Sequence, residues 1–356
     1  MLKALLGMQW AFTDPTARTM HDGLPLRVIT HNIRYATNSL FKNERPWSER
    51  RPMIMSQLGL TTKALDGINT VDSAGASFIC MQEVLHGQLH DILGGLNQLT
   101  ESELSASSNL PEGPYWSHIG VAREDGKQKG EYSPILYPTK LFTLLHYENT
   151  WLSPTPDKPS KGWDAGSERI LTTGVFEHKA TKQRIAAFNT HLDNAGSVAR
   201  EKSVAIIIET IERICSEWTT KHDEVSASTG LNFVLAGDFN SFPTQEAYKA
   251  VLASDAMVDT HDALPKTARF GDEVTFTGFQ PDTDEDKDEI GRIDFIWVGP
   301  KSRVGTETAV ESTSGTGNGH KDWRVDGYSV LPNVFDGGVF CSDHRCVVAD
   351  LLLAHS

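Results

Sequence analysis

No stretch of this chain approaches the ~18 to 20 consecutive apolar residues that a membrane-spanning helix needs, so no helical span is expected. No run of lysine and arginine forms a basic stripe either. With 33 basic against 47 acidic residues the formal charge is −14, which repels a polyanion at long range and disfavours generic nucleic-acid binding. No glycine-rich phosphate loop of the Walker or Rossmann pattern follows a predicted strand, which excludes the common nucleotide-binding loops. Cysteine is scarce: Cys80, Cys215, Cys341 and Cys346 match neither a zinc ribbon nor a small disulfide scaffold and are read as buried free thiols. A reducing compartment follows, and with it an intracellular, cytoplasmic location. Met1–Phe12 is interrupted by Gln9 and lacks a small-residue cleavage site, so no signal peptide is read there.

What is present is ordinary for a soluble globular protein: 39% hydrophobic and 22% charged residues over 356 positions, enough for one large domain with insertions. We expect an N-terminal extension over 1–25, one domain over 26–356, and a loop insertion near 301–339. β-rich runs occur at Leu26–His31, Phe78–Gln82, Ser133–Tyr137, Leu171–Glu177, Arg184–Thr190, Phe233–Ala236, Arg292–Val298 and Cys346–Leu352. Amphipathic helical patterns lie at Arg50–Leu65, Leu85–Leu99, Ser197–Trp218 and Gln245–Ala253. This order predicts an α+β protein, a four-layer α/β sandwich of two packed mixed β-sheets flanked by helices. Ser153–Ser167, Pro281–Gly291 and Lys301–Val339 read as polar loops. The acids of Asp282-Thr283-Asp284-Glu285-Asp286 alternate like a calcium loop, but Lys287 and Ile293 stand where that loop needs Gly and Glu.

Polar residues suited to phosphate chemistry recur beside predicted strands. They are Asn32-Ile33-Arg34, Gln82-Glu83, Thr190-His191-Leu192-Asp193, Gly237-Asp238-Phe239-Asn240, Arg292-Ile293-Asp294 and Ser342-Asp343-His344. Each alone is an ordinary turn residue; together they supply a reaction centre. Glu83, Asp343 and Asn32 carry the carboxylate and amide oxygens that a hard cation such as Mg²⁺ prefers. Asp238 is placed to orient or deprotonate a water, His344 to donate to phosphoryl oxygens, and Asp294 to hold the imidazole.

In this order and spacing the set resembles the endonuclease/exonuclease/phosphatase superfamily over nearly the whole chain, from about Leu26 to Leu353. The resemblance implies a deoxyribonuclease-I-like fold and a Mg²⁺-dependent phosphoester hydrolase, with Mn²⁺ as a substitute. Carried over by residue, it implies Glu83 as principal metal ligand, Asn32 beside it on metal or phosphate, and Asp343 assisting. It further implies Asn240 holding phosphate, His191 as a second phosphate-facing histidine oriented by Glu131, and Arg169 as a bidentate phosphate clamp. Arg34 departs from the DNA-repair members, which often carry an acid there, so the small-phosphatase-like branch fits better.

The function read from these residues is in-line hydrolysis of a small phosphorylated substrate, as a phosphatase or phosphodiesterase. Two alternatives stay open: a metal-dependent endo- or exonuclease acting on DNA or RNA, and a catalytically silent member that binds a phospho-ligand or partner. The oligomeric state is left open. Trp151 and Trp163 serve either as stacking surfaces or as apolar caps. His31 should point away from Asn32 and act as a satisfied structural histidine.

Overall fold

The computed structural model describes residues 23–62, 75–220, 230–280, 290–305 and 322–354. The acidic run Asp282–Asp286, most of the N-terminal extension and the middle of the 301–339 segment lie outside the described residues. In chain order the strands begin with β1 (Gly23–Asn32), β2 (Ser77–Gln82), β3 (Trp116–Ile119), β4 (Ile135–Pro138) and β5 (Phe142–Trp151). They continue with β6 (Ile170–His178), β7 (Arg184–His191), β8 (Asn232–Asp238), β9 (Val258–Asp259), β10 (Arg269–Gly271) and β11 (Asp294–Gly299). The last are β12 (Val304–Gly305), β13 (Trp323–Val330), β14 (Val334–Phe335), β15 (Val339–Phe340) and β16 (Val347–Ala354). The helices are α1 (Trp47–Thr61), α2 (His86–Leu96), α3 (Glu101–Ser105), α4 (Ser197–Thr220) and α5 (Glu246–Ser254).

One mixed sheet runs β10-β13-β16-β1-β2-β4-β3 with β12 beside β13, and a second runs β5-β6-β7-β8-β11-β9. Period-two alternation decides which side chains meet between them. Leu24, Leu26 and Val28 of β1 and Val347, Ala349, Leu351 and Leu353 of β16 share one apolar cluster with Ile185, Ala187, Val234, Ala236, Ile296 and Val298 of β7, β8 and β11. The intervening residues face helices: Ile29, Ile79, Met81 and Val348 pack with Ile54 and Leu58 of α1 and Leu89, Ile92 and Leu93 of α2. Phe188, Phe233, Leu235, Phe295 and Trp297 likewise pack with Val204, Ile207, Ile211 and Ile214 of α4 and Tyr248 and Val251 of α5. The four layers are therefore helix, sheet, sheet, helix, as expected.

Two expectations need correction. The 301–339 stretch, read as loop, contains β13, which pairs with β16 along its length. A register shift between Val325 and Gly327 inserts one residue and breaks the alternation that marks a strand in sequence. β5 was also not anticipated; it is an edge strand paired to β6 with its own shift between Leu144 and His146, and its half-exposed face carries polar residues. α4 is capped not from its own start but by Asp164, whose carboxylate accepts from Ala199 N (2.7 Å) and Val198 N (3.3 Å).

His118 on β3 has a buried Nδ1 without a hydrogen-bond partner, and burial pushes its pKa down to about 4. Its neutral form is the folded form, so its contribution is complete above the unfolded histidine value and is lost as pH falls towards 4. At ~1.4 kcal/mol per pKa unit this is ~3 kcal/mol at most. Urea unfolding of wild type and His118→Gln between neutral and acid pH should show a shallower loss in the variant; parallel curves would refute the assignment.

Candidate active site

The face between the sheets is apolar for most of its depth and turns polar in its last rows. β1 and β2 run parallel, as do β7 and β8, so both pairs end on one side of the sandwich. Counting in steps of two, Leu26 and Val28 are followed by Thr30 and Asn32; Ala187 by Asn189 and His191; Ala236 by Asp238. β11 runs the other way and starts there, placing Asp294 opposite Asp238, which is itself opposite His191. The inner polar row ties the sheets together: Gln82 Nε2 donates to Asn189 Oδ1 (2.7 Å) and Thr30 Oγ1 (3.0 Å). Asn189 Nδ2 in turn donates to the Met81 and Pro134 carbonyls, both at 2.8 Å. These amides are wholly buried, and their mutual satisfaction offsets the cost of placing them there.

Above that row, His344 Nδ1 hydrogen-bonds Asp294 Oδ2 at 2.9 Å while its Nε2 faces Asp238 Oδ2 at 3.7 Å. Burial works against the charged imidazole, but the Asp294 and Asp238 carboxylates outweigh it and push its pKa up to about 10. Asp238 is raised by burial and by Asp294, and partly relieved by His344 and by the Asn32 hydrogen bond. Asn32 Nδ2 donates to both Asp238 Oδ2 (2.9 Å) and Glu83 Oε1 (3.1 Å). Ser342 Oγ donates to the Asn32 carbonyl (2.7 Å) and accepts His344 N–H (3.2 Å), joining the last motif to the first. Thr275 accepts from the Ile293 and Asp294 amides (3.0 and 3.1 Å). Thr277 and Gly278 donate to the Asp343 carbonyl (2.7 and 3.2 Å), and the Phe276 ring lies 4.9 Å from the His344 ring. The 275–278 segment therefore braces the site.

The second histidine is set differently. Asn240 Nδ2 donates to the Leu192 carbonyl and to His191 Nε2, both at 3.0 Å. The carbonyl partner identifies that atom as nitrogen, so His191 Nε2 accepts and its proton sits on Nδ1. That proton faces Glu131 Oε2 at 3.8 Å, too long for a hydrogen bond. Burial, then Arg169 and Arg123, push the His191 pKa well down, so the ring is neutral. Glu131 is raised by burial and by Glu83, against Arg123 and Arg169. Arg123, which the sequence pattern did not mark, donates to Glu131 Oε1 at 2.8 Å.

Three expected roles change in consequence. Both Asn240 amide hydrogens are spent, so Asn240 orients His191 and lacks a free donor for phosphate. Arg169 gives Nε to Asp193 Oδ2 (3.2 Å) and Nη2 to Asn194 Oδ1 (3.0 Å), while its buried Nη1 has no hydrogen-bond partner, so the fork expected to clamp phosphate is narrowed to that end. His31 is fully buried, yet neither ring nitrogen makes a hydrogen bond of ordinary geometry, so it is not a satisfied histidine. Trp151 is buried with its indole N–H on the Arg123 carbonyl (2.8 Å), whereas Trp163 is 43% exposed.

Glu83, Asn32 and Asp343 offer carboxylate and amide oxygens, a donor set that suits a hard divalent cation. The Asn32 oxygen already accepts Arg34 N–H at 3.0 Å, leaving one lone pair. The carboxylate–histidine group whose ligand atoms lie within 4.8 Å of one another is instead Asp238, Asp294 and His344. Because His344 Nδ1 is committed to Asp294, we read that group as an imidazolium between two carboxylates. In a second such group, Asp259, His261 and Asp262, Asp259 is taken by Arg292 (2.6 Å) and Tyr248 (3.0 Å), which anchors the chain two residues before Asp294.

Comparison with solved structures places this geometry. An endonuclease/exonuclease/phosphatase family protein from Bacteroides thetaiotaomicron is 27% identical with a TM-score of 0.69, over 93% of this chain and 98% of that one. In fold and over nearly its whole length, this chain is similar to proteins of the endonuclease/exonuclease/phosphatase family. A mannosyl-6-phosphatase of that family from the same organism is 27% identical with a TM-score of 0.69, over 92% of this chain and all (100%) of the other. The human Nocturnin catalytic domain shares the fold at 16% identity and a TM-score of 0.57, over 92% of this chain and 94% of that one. Among curated proteins, an uncharacterized protein of Acanthamoeba polyphaga mimivirus is 24% identical over 220 residues, 61% of this chain and 67% of that one. No family model matches the sequence. The family likeness supports phosphoester hydrolysis as the general class of activity. No helix among the described residues is long and apolar enough to cross a membrane.

Proposed function

We propose that this chain is a member of the endonuclease/exonuclease/phosphatase family and a divalent-metal-dependent hydrolase of a small phosphorylated substrate. The observation that carries the reading is the hydrogen-bonded line from Glu83 through Asn32 to Asp238, facing the His344–Asp294 pair. Glu83 would hold the cation, with Asn32 and Asp343 beside it; such an ion supplies Lewis-acid charge stabilisation at phosphoryl oxygens. Asp238 orients the attacking water and takes its proton, and its raised basicity suits that task. The positively charged His344 donates from Nε2 to a phosphoryl oxygen, while Asp294 fixes the ring. The water oxygen bonds to phosphorus as the bond to the leaving oxygen breaks, with no covalent intermediate.

Two observations favour a small substrate: the net charge of −14, which opposes a polyanion, and the likeness to a mannosyl-6-phosphatase. Both sheets contribute to the one constellation, which supports reading residues 26–356 as a single domain. The test is a panel of sugar phosphates, inositol phosphates, nucleotides, a chromogenic phosphodiester and oligonucleotides, with Mg²⁺ or Mn²⁺ and with EDTA. A small ester should be hydrolysed only with metal, and Glu83→Gln should lose at least ~100-fold in rate, the scale of one electrostatic contact in a water-poor site. Cleavage of oligonucleotides alone would replace this reading with a nuclease. Turnover that survives EDTA would end the metal assignment.

A further inference from the structure

Arg34 stands at the metal end of the site and is held more firmly than a surface arginine can be. Its Nε bonds Glu44 Oε1 at 3.2 Å, and the Glu44 side chain is fully buried. The other Glu44 oxygen accepts Phe41 N–H at 2.9 Å. The guanidinium lies over the Tyr35 and Phe41 rings, 4.1 and 4.8 Å from their centroids. Its backbone is in the left-handed region at φ 57°, and its carbonyl accepts from Arg50 Nη2 (3.0 Å) and Gln88 Nε2 (3.1 Å). From this seat Nη1 reaches to 3.7 Å from Glu83 Oε2, while the adjacent Tyr35 amide donates to that same oxygen at 3.1 Å. Arginine does not lose its proton in proteins, so this charge is present at every working pH.

Resting on the metal-dependent reading above, we propose that Arg34 is a positioning residue for Glu83 and a built-in cation that restricts the centre to one divalent ion per chain. Glu83 has two oxygens. Oε2 is committed to the Tyr35 amide and lies beside the guanidinium, which leaves Oε1, shared with Asn32 Nδ2, as the face for a metal. A second divalent ion near Oε2 would sit within a few ångströms of a fixed positive charge in a partly dehydrated setting, where like-charge repulsion far exceeds thermal energy. Glu44 offsets part of this charge, but from the Nε side, whereas Nη1 is the nitrogen that faces Glu83.

The test is the Mn²⁺ stoichiometry of the full chain, followed by the loss of the free-ion paramagnetic resonance signal and by titration calorimetry. Wild type should bind one Mn²⁺ per chain. The paired substitution Arg34→Gln with Glu44→Gln removes both charges without burying an unpaired one, and it should admit a second equivalent. Arg34→Lys, which keeps the charge, should remain at one. Two equivalents in wild type, or one in the neutral pair, would overturn the proposal. A separate outcome marks failure of the underlying metal reading: Mn²⁺ binding absent in wild type, or unchanged in Glu83→Gln.

Discussion

His344→Ala is expected to lower turnover of the cognate ester by about 10²- to 10⁴-fold, the range for removing one charged donor from a preorganised site. The ring lies between Asp294 and Asp238 and is the positive group bridging them. Its removal takes the donor from the phosphoryl oxygen and also leaves two buried carboxylates facing one another. Asp238 should then bind its proton more tightly, which suppresses its work on the water, so the loss compounds. Steady-state kinetics on the cognate ester, with circular dichroism to verify folding, would measure this. Turnover within a few-fold of wild type in a folded variant would remove His344 from the mechanism.

Asp294→Asn should cost a comparable amount by a different route. The carboxamide keeps the size of the group, but it no longer supplies the charge that, with Asp238, outweighs burial and holds the His344 pKa up to about 10. An amide opposite Nδ1 can also present a donor and select the wrong tautomer; in a Ser-His-Asp triad the corresponding change costs about 10⁴-fold. The pH profile separates this from simple misfolding. In wild type the imidazole is protonated throughout the neutral range, so its limb should be flat from roughly pH 6 to 9. In the variant the lowered pKa falls inside that window, so residual turnover should decline as pH rises. A variant with reduced rate and an unchanged profile would show that Asp294 acts only through packing.

Much of this centre could be read from the chain because strand geometry is local. Asn32, Gln82, His191 and Asp238 are the last residues of parallel strands or of the rows that continue them, and alternation alone puts them on the face that carries Val28, Cys80, Ala187 and Ala236. Glu83 follows β2 directly, with its own backbone at φ 57°. β5 and β13 escaped notice for an equally local reason: each contains a register shift, and a shift by one residue exchanges the two faces of a strand. Arg123 carried no signal, since an arginine among acidic residues is ordinary until its partner is known.

The roles that changed are those that depend on how hydrogen-bond donors are allotted. Which residue types line the mouth, and on which face of which strand, was determined by the sequence through residue chemistry and the two-residue repeat. Tertiary structure alone decided that Asn240 spends its hydrogens on His191 and Leu192, that Arg169 gives Nε and Nη2 to Asp193 and Asn194, and that Arg34 is pinned beside Glu83. The reason is that a buried donor takes the nearest acceptor in space, whichever segment brings it. Such acceptors come from segments tens to hundreds of residues distant, such as Leu192 for Asn240 (48 positions) and Asp238 for Asn32 (206 positions), separations that no local pattern encodes.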